Sequence, residues 1–199
     1  MDMQSQHRFL LRQKLTLLVN RYEYFSYADA VQGEMIAFAE QKRFAFREAF
    51  TVWKNDARNE VLFTVTAEKL LDIHGRFLVH DEHGVPIGYC RKVFGSSLVR
   101  STWEVRGADE TLHYTAKEKN VAIAVIRRIA QFIPYLTDIA PFFPFNFVFE
   151  KDGAVVGEHH RVWGTLTDQY AIELHEQLKQ SDRRLVLALG ILLDALQDR

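Results

Sequence analysis

The sequence predicts a mainly β (α+β) fold: an antiparallel closed barrel of about twelve strands wrapped around a buried hydrophobic C-terminal helix. Three observations predict it. Apolar residues alternate with polar ones through most of the chain, which is the period of a strand with one buried face. Turn signals separate the runs, at Asn55–Asn59, Asp81–Gly84, Arg106–Asp109 and Lys151–Gly153, and each joins two strand-like stretches as a hairpin would. The last stretch, Leu185 to Leu196, is apolar on every helical face, so it must be buried in protein or lipid.

The elements follow in order. Residues 1–6 read as a disordered tail. Arg8–Arg12, Arg21–Phe25, Gly33–Phe38 and the aromatic run Phe44–Trp53 are the first strand candidates. Alternation then becomes clean. Val61, Phe63 and Val65 share a face, and Phe77 with Val79, Ile87 with Tyr89 and Trp103 with Val105 repeat the pattern. Leu112, Tyr114 and Ala116 continue it, as do Phe145, Phe147 and Phe149, then Tyr170, Ile172 and Leu174. One further helix is predicted near 120–133, capped by Asn120 and stopped by Pro134.

The final helix is predicted over 183–197, with Ser181 or Asp182 as its cap. A bilayer core needs about 20 apolar residues, and this run is shorter. A barrel of about a dozen strands has a lumen wider than its own side chains can fill. Leu185, Leu189, Leu192, Leu193 and Leu196 are therefore read as a core plug. Asp194 interrupts the apolar helix and needs a partner if buried, with Arg100, Arg127 and Arg128 as the candidates.

Composition bounds the function. The 199 residues read as a single domain, 1–199, with the charged and hydrophobic content of a soluble globular chain. A net charge of −1 offers no global basic field, so no nucleic-acid partner is expected. A single cysteine, Cys90, excludes an internal disulfide and any CxxC metal site, and on a strand it reads as a packing residue. The start lacks the pattern of a signal peptide and neither end carries a lipidation motif, so the expected location is cytoplasmic, peripheral to a membrane at most.

Several stretches carry a likeness to a known family. They include Asn20-Arg21-Tyr22, Phe38–Lys42, Leu71-Asp72, Val79–Gly88 with Arg91-Lys92, and Arg100–Trp103. The strongest is Asp168–Ile172 followed by Asp182–Leu185 running into Leu192–Leu196. In this order, from Arg8 to Arg199, the chain resembles the LURP-one-related and phospholipid scramblase-like branch of the tubby C-terminal-like superfamily. The resemblance implies a barrel closed on a central helix. It implies a non-enzymatic binding module, since tubby-type domains hold phosphoinositide headgroups through basic side chains. A scramblase-like activity, or an adaptor role, is the alternative. The chain lacks the Pro-rich leader and palmitoylated Cys cluster of scramblases, and residues beyond the helix, so the likeness is expected to reach the barrel and not lipid transport.

Seven basic residues are the candidate lipid site: Lys42, Arg43, Arg91, Lys92, Arg100, Lys117 and Lys119. Gathered on one face they would attract an anionic phospholipid surface, each charge contributing about 1 kcal/mol. The plain alternative is a solvated face balanced by Glu40, Glu48, Glu104 and Glu118. No metal site is expected. His80 to His83 lie in a hairpin turn, and His159 and His160 point to opposite faces of a strand. Asp168 and Asp182 lie where scramblases are thought to bind calcium, yet few further carboxylates are near them in sequence. No nucleophile with a base and no glycine-rich phosphate loop is visible, so neither catalysis nor a cofactor is expected.

Overall fold

In a computed structural model the chain closes on itself as a barrel of twelve antiparallel strands. The described residues are 2–15, 19–42, 49–68, 75–93, 100–120, 146–164, 167–178 and 181–197. The strands are β1 (Arg8–Leu15), β2 (Val19–Ala28), β3 (Val31–Lys42), β4 (Ala49–Trp53), β5 (Val61–Ala67) and β6 (Arg76–Asp81). They continue with β7 (Pro86–Lys92), β8 (Thr102–Gly107), β9 (Leu112–Glu118), β10 (Phe147–Lys151), β11 (Ala154–Arg161) and β12 (Gln169–Leu174). Helix α1 (Arg183–Gln197) follows. The helix predicted near 120–133 falls almost wholly outside the described residues.

Each strand pairs with its sequence neighbours, and β1 pairs with β12 to complete the ring. Phe9 opposite Ile172 and Leu11 opposite Tyr170 seal that seam with interior side chains. Closure leaves no open edge to recruit another chain. Register shifts fall in the pairs β2–β3, β4–β5, β6–β7, β8–β9 and β10–β11, at or near the hairpins. Bulges of this kind bend and twist a strand, which is what a sheet needs in order to curl into a ring.

Helix α1 runs down the lumen. Its 15 residues span about 22 Å. Leu185, Leu189, Leu192 and Leu193 are buried, and Leu196 packs partly buried against the core. Val186, Leu187, Ala188 and Ile191 are buried as well, so every face of the helix meets the wall. Each such aliphatic side chain contributes roughly 2 kcal/mol relative to exposure. The wall also holds the helix by polar contacts. The Tyr24 hydroxyl donates to the Leu187 carbonyl at 2.6 Å.

The wall makes room for the helix at β7. There the alternation places Ile87 and Tyr89 on one face, and a bulge separates them: Ile87 packs partly buried against the core, Gly88 and Cys90 face in, and Tyr89 lies on the outer face with its hydroxyl on Glu110. A Cβ on Gly88 would lie 2.3 Å from the Arg106 carbonyl oxygen and 3.1 Å from Leu185, and its φ of +155° disfavours a side chain. Small residues face in because α1 passes close. Cys90 is buried, with Sγ 4.0 Å from the Leu185 carbonyl, and burial pushes its thiol pKa up.

Residues 2–6 of the stretch read as a disordered tail are built into the fold instead. Met3–Ser5 form a turn of 3-10 helix and Met3 packs against the core. Gln4 Nε2 donates to Asp182 Oδ1 at 2.9 Å, and the Arg183 amide donates to Gln4 Oε1 at 3.0 Å. Arg183 is fully buried and donates to the carbonyls of Gln6, Leu178 and Ser181 at 2.7, 2.6 and 2.6 Å. One guanidinium thus ties the chain start to the start of α1. Asp182 caps the helix, accepting from the Arg184 amide at 2.9 Å.

Candidate functional site

Up-and-down topology sorts the chain into two rims. One rim surrounds the start of α1 and is made of the hairpins 29–30, 54–60, 82–85, 108–111 and 152–153 with the β12–α1 link. The other surrounds the end of α1, where β1, β3, β5, β7, β9 and β11 finish. The turns of the first rim are acidic. Among the described residues they carry Asp29, Asp56, Glu60, Glu82, Asp109, Glu110, Asp152, Glu176 and Asp182 against Lys54 and Arg58. Among the described residues, strand ends of the second rim carry Lys14, Lys42, Arg76, Lys92, Arg100, Lys117, Lys119 and Arg161 against Glu40, Glu68, Glu118 and Asp168. Among the described residues, the charges of a nearly neutral chain are therefore sorted along the barrel axis.

The described basic candidates occupy the second rim and the wall beside it. Lys42 is the last residue of β3, its side chain outside the described set, and Arg43 lies outside the described residues altogether. Lys92 ends β7 opposite Trp103, and Arg100 stands two residues before β8. Arg91 lies on the outer wall and meets Glu104 at 2.6 Å. Lys117 is paired with Glu150 across β9 and β10. Lys119 meets Glu158 at 3.0 Å. The fold brings these cations to one end of the barrel but spreads them from β3 to β9, so they form an arc and not a pocket. A shallow outer groove of about 240 Å³ beside Lys117 is lined by Thr115, Glu150, Lys151 and Asp152, with both signs of charge present.

Pairing sets the electrostatics of the wall. Burial raises the Glu104 carboxyl, but hydrogen bonds from Arg106 and Arg91 outweigh it and hold its pKa below the usual carboxylate range. Glu23 is a second such centre. Burial opposes its charge, and Lys14 at 2.8 Å with Arg12 at 2.6 Å overcomes that and lowers its pKa. Sequence reasoning missed Arg161, which ends β11, stacks 5.5 Å from the Trp163 ring and meets Asp168 at 2.5 Å. Its signal was the i, i+2 spacing of Arg161 and Trp163 at a strand end, which puts both on one face.

The calcium reading finds its carboxylates already engaged. Asp168 is held by Arg161, and Asp182 by Arg184 at 2.7 Å and by Gln4. In the hairpin 82–85, Asp81 accepts from the amides of His83 and Val85 at 2.9 and 2.8 Å, a turn-forming role. Glu82 reaches Arg184 at 3.2 Å.

Inside the barrel the polar residues gather toward the end of α1. Asp194 is 7% exposed and lies beside the Tyr22 hydroxyl, whose pKa is pushed up by burial and by that carboxylate. Tyr22 also has Gln13 and Asn20 around it. The sequence offered only arginines as neighbours for Asp194; the phenol was not foreseen. His159 faces in from β11 at 1% exposure, stacked on Tyr170 at 4.9 Å and edge-on to Phe147 at 6.2 Å. Neither of its ring nitrogens has a hydrogen-bond partner among the described residues. Burial, reinforced by His160, pushes its pKa down to about 3.

These features define a class: a closed antiparallel β barrel whose own C-terminal helix fills the lumen. A family model described as LURP-one-related matches residues 35–194, from within β3 to Asp194 of α1. The chain belongs to the LURP-one-related family. A search of curated proteins finds no match.

Proposed function

We propose that this protein is a non-enzymatic, tubby-like module that binds acidic phospholipid headgroups at a membrane surface through basic side chains on the barrel exterior. The observation that supports this reading is the axial polarity, with Lys42, Lys92, Arg100, Lys117 and Lys119 at one rim and acidic turns at the other. Near an anionic surface each cation contributes about 1 kcal/mol, and an arc of them can face a flat bilayer where it could not enclose a small ligand. Capture is electrostatic and needs no covalent step. It is expected to weaken steeply with salt.

Co-sedimentation with vesicles tests this. Recovery on phosphatidylcholine–phosphatidylserine vesicles should exceed recovery on phosphatidylcholine alone and fall as salt is added. Glutamate in place of Lys92, Lys117 and Lys119 together should abolish the difference. Equal recovery on neutral and acidic vesicles would count against the reading. An adaptor role remains as the outcome in that case. Enclosure of α1 by the wall gives no support to a scramblase-like insertion of the tail, and no described helix is long and apolar enough to cross a membrane.

A further inference from the structure

Among the described residues Trp163 is the most exposed large apolar side chain, at 67%. It stands between β11 and β12, on the rim around the end of α1. Its base is fixed. The Val162 amide donates to the Gln169 carbonyl at 2.8 Å directly before it, and Gly164, with φ of +82°, turns the chain directly after it. Arg161 sits over one side of the ring at 5.5 Å and is itself held by Asp168 at 2.5 Å. The Arg161 amide donates to Asn146 Oδ1 at 2.9 Å, which anchors this strand end to the start of β10. An indole is thus held out into solvent beside a guanidinium, on the cationic end of the molecule.

We infer that Trp163 is the interfacial anchor of the barrel. The ring enters the headgroup layer of an acidic bilayer, Arg161 lies at the level of the phosphates, and the barrel stands on the membrane with the end of α1 toward the lipid. This rests on the lipid-binding reading above and adds to it an orientation and a residue outside the basic set. Tryptophan prefers the bilayer interface because its ring is apolar while its N–H stays wet. Charge complementarity selects this rim over the other. Val31, Val85, Leu112 and Val155 are also exposed, but on the acidic rim, where anionic headgroups would be repelled.

The test uses the full chain and phosphatidylcholine–phosphatidylserine vesicles. The difference in intrinsic fluorescence between wild type and Trp163→Phe isolates this ring, since Trp53 and Trp103 are common to both. That difference should move to shorter wavelength and lose access to acrylamide when vesicles are added. Trp163→Ala should lower the partition coefficient by about tenfold, since most of an indole's transfer energy is lost, while Val85→Ser leaves it unchanged. Circular dichroism should show both variants folded, as both side chains are exposed. Wild type that binds acidic vesicles with Trp163 still fully quenched, or equal partition of Trp163→Ala, overturns the anchor and leaves the basic-residue reading standing. Loss of self-association in Trp163→Ala without vesicles assigns the ring to a contact between copies and overturns it too. Failure of wild type to bind acidic vesicles at all removes the reading on which the anchor rests, and the anchor with it.

Discussion

Acidifying the protein should weaken it well before its carboxylates titrate, and His159 is the reason. The free imidazole has a pKa of about 6.5. In the barrel it is held neutral down to about 3, by burial first and by His160 second. The unfolded chain therefore takes up a proton as pH falls below about 6.5 while the folded chain does not, and ΔG of unfolding falls. The stabilisation is complete above about 6.5 and is lost progressively as pH drops toward about 3. At pH 5 the deficit is about 1.5 pKa units, or about 2 kcal/mol. Replacing His159 by Phe keeps a ring of similar size in the slot between Tyr170 and Phe147 and removes the titration. It also removes two buried ring nitrogens that have no hydrogen-bond partner among the described residues, so the variant should be the more stable by about 1 kcal/mol even at neutral pH. Urea unfolding of both chains at pH 7.5 and pH 5 reads the effect. The gap between their midpoints should widen by about 1 M on acidification, taking an m-value of about 2 kcal/mol/M. His113, whose pKa is lowered chiefly by burial, is common to both chains and cancels in the comparison. A gap that stays constant across that pH range would refute the argument.

Three further outcomes follow from the core. Arg183→Met removes the only group that donates to the carbonyls of Gln6, Leu178 and Ser181 together, and should cost about 3 kcal/mol, seen as a melting temperature lowered by roughly 6–12 °C. Lysine at that position should not rescue it, because a point charge cannot reproduce the forked contacts. Gly88→Ala should destabilise by about 1–3 kcal/mol from backbone strain alone, with Leu185 crowding added, as measured by chemical denaturation. Cys90 should resist a thiol reagent in the native state and react only as fast as the barrel opens, since its thiol is buried with a raised pKa; rapid native labelling would contradict its placement.

Much of this fold was legible because the wall has one dry face. Trp103 and Val105, Tyr114 and Ala116, Phe147 and Phe149, and Tyr170 and Ile172 all point inward as their alternation implies. The all-round apolar helix forced a hollow for it to fill, and the barrel followed. What failed, failed where packing overrides pattern. At β7 Tyr89 faces out, against the pattern, because a bulge shifts the register after Ile87 and α1 passes too near Gly88 and Cys90 for anything bulky. The role of residues 2–6 was invisible because it depends on Arg183, far along the chain, choosing backbone carbonyls as partners, which leave no mark in side-chain type. His159 could be placed on a strand but not inside it, since a histidine beside a histidine says nothing of which one is dry. The basic residues were readable one by one. Their gathering at a single rim was not, because it depends on strand direction at each position and on β1 meeting β12.

The filled lumen narrows where function can reside. Tubular β proteins that enclose small ligands keep the interior free. Here Leu185, Leu189, Leu192 and Leu193 occupy it, and the polar interior residues near the end of α1, Tyr22 and Asp194 among them, face each other. The proposed binding therefore calls on the outer wall and the rims. On the wall, Arg91, Lys117 and Lys119 each meet a glutamate, so their charge is largely spent within the molecule. An anionic surface must therefore compete with those glutamates for the cations, and binding should come from many weak contacts rather than a few strong ones. That favours a flat, multivalent partner over a single headgroup in solution. The consequence is measurable: a soluble headgroup such as glycerophosphoserine should displace the protein from acidic vesicles poorly even at high excess, and ready displacement would point to a discrete pocket and away from a charged rim.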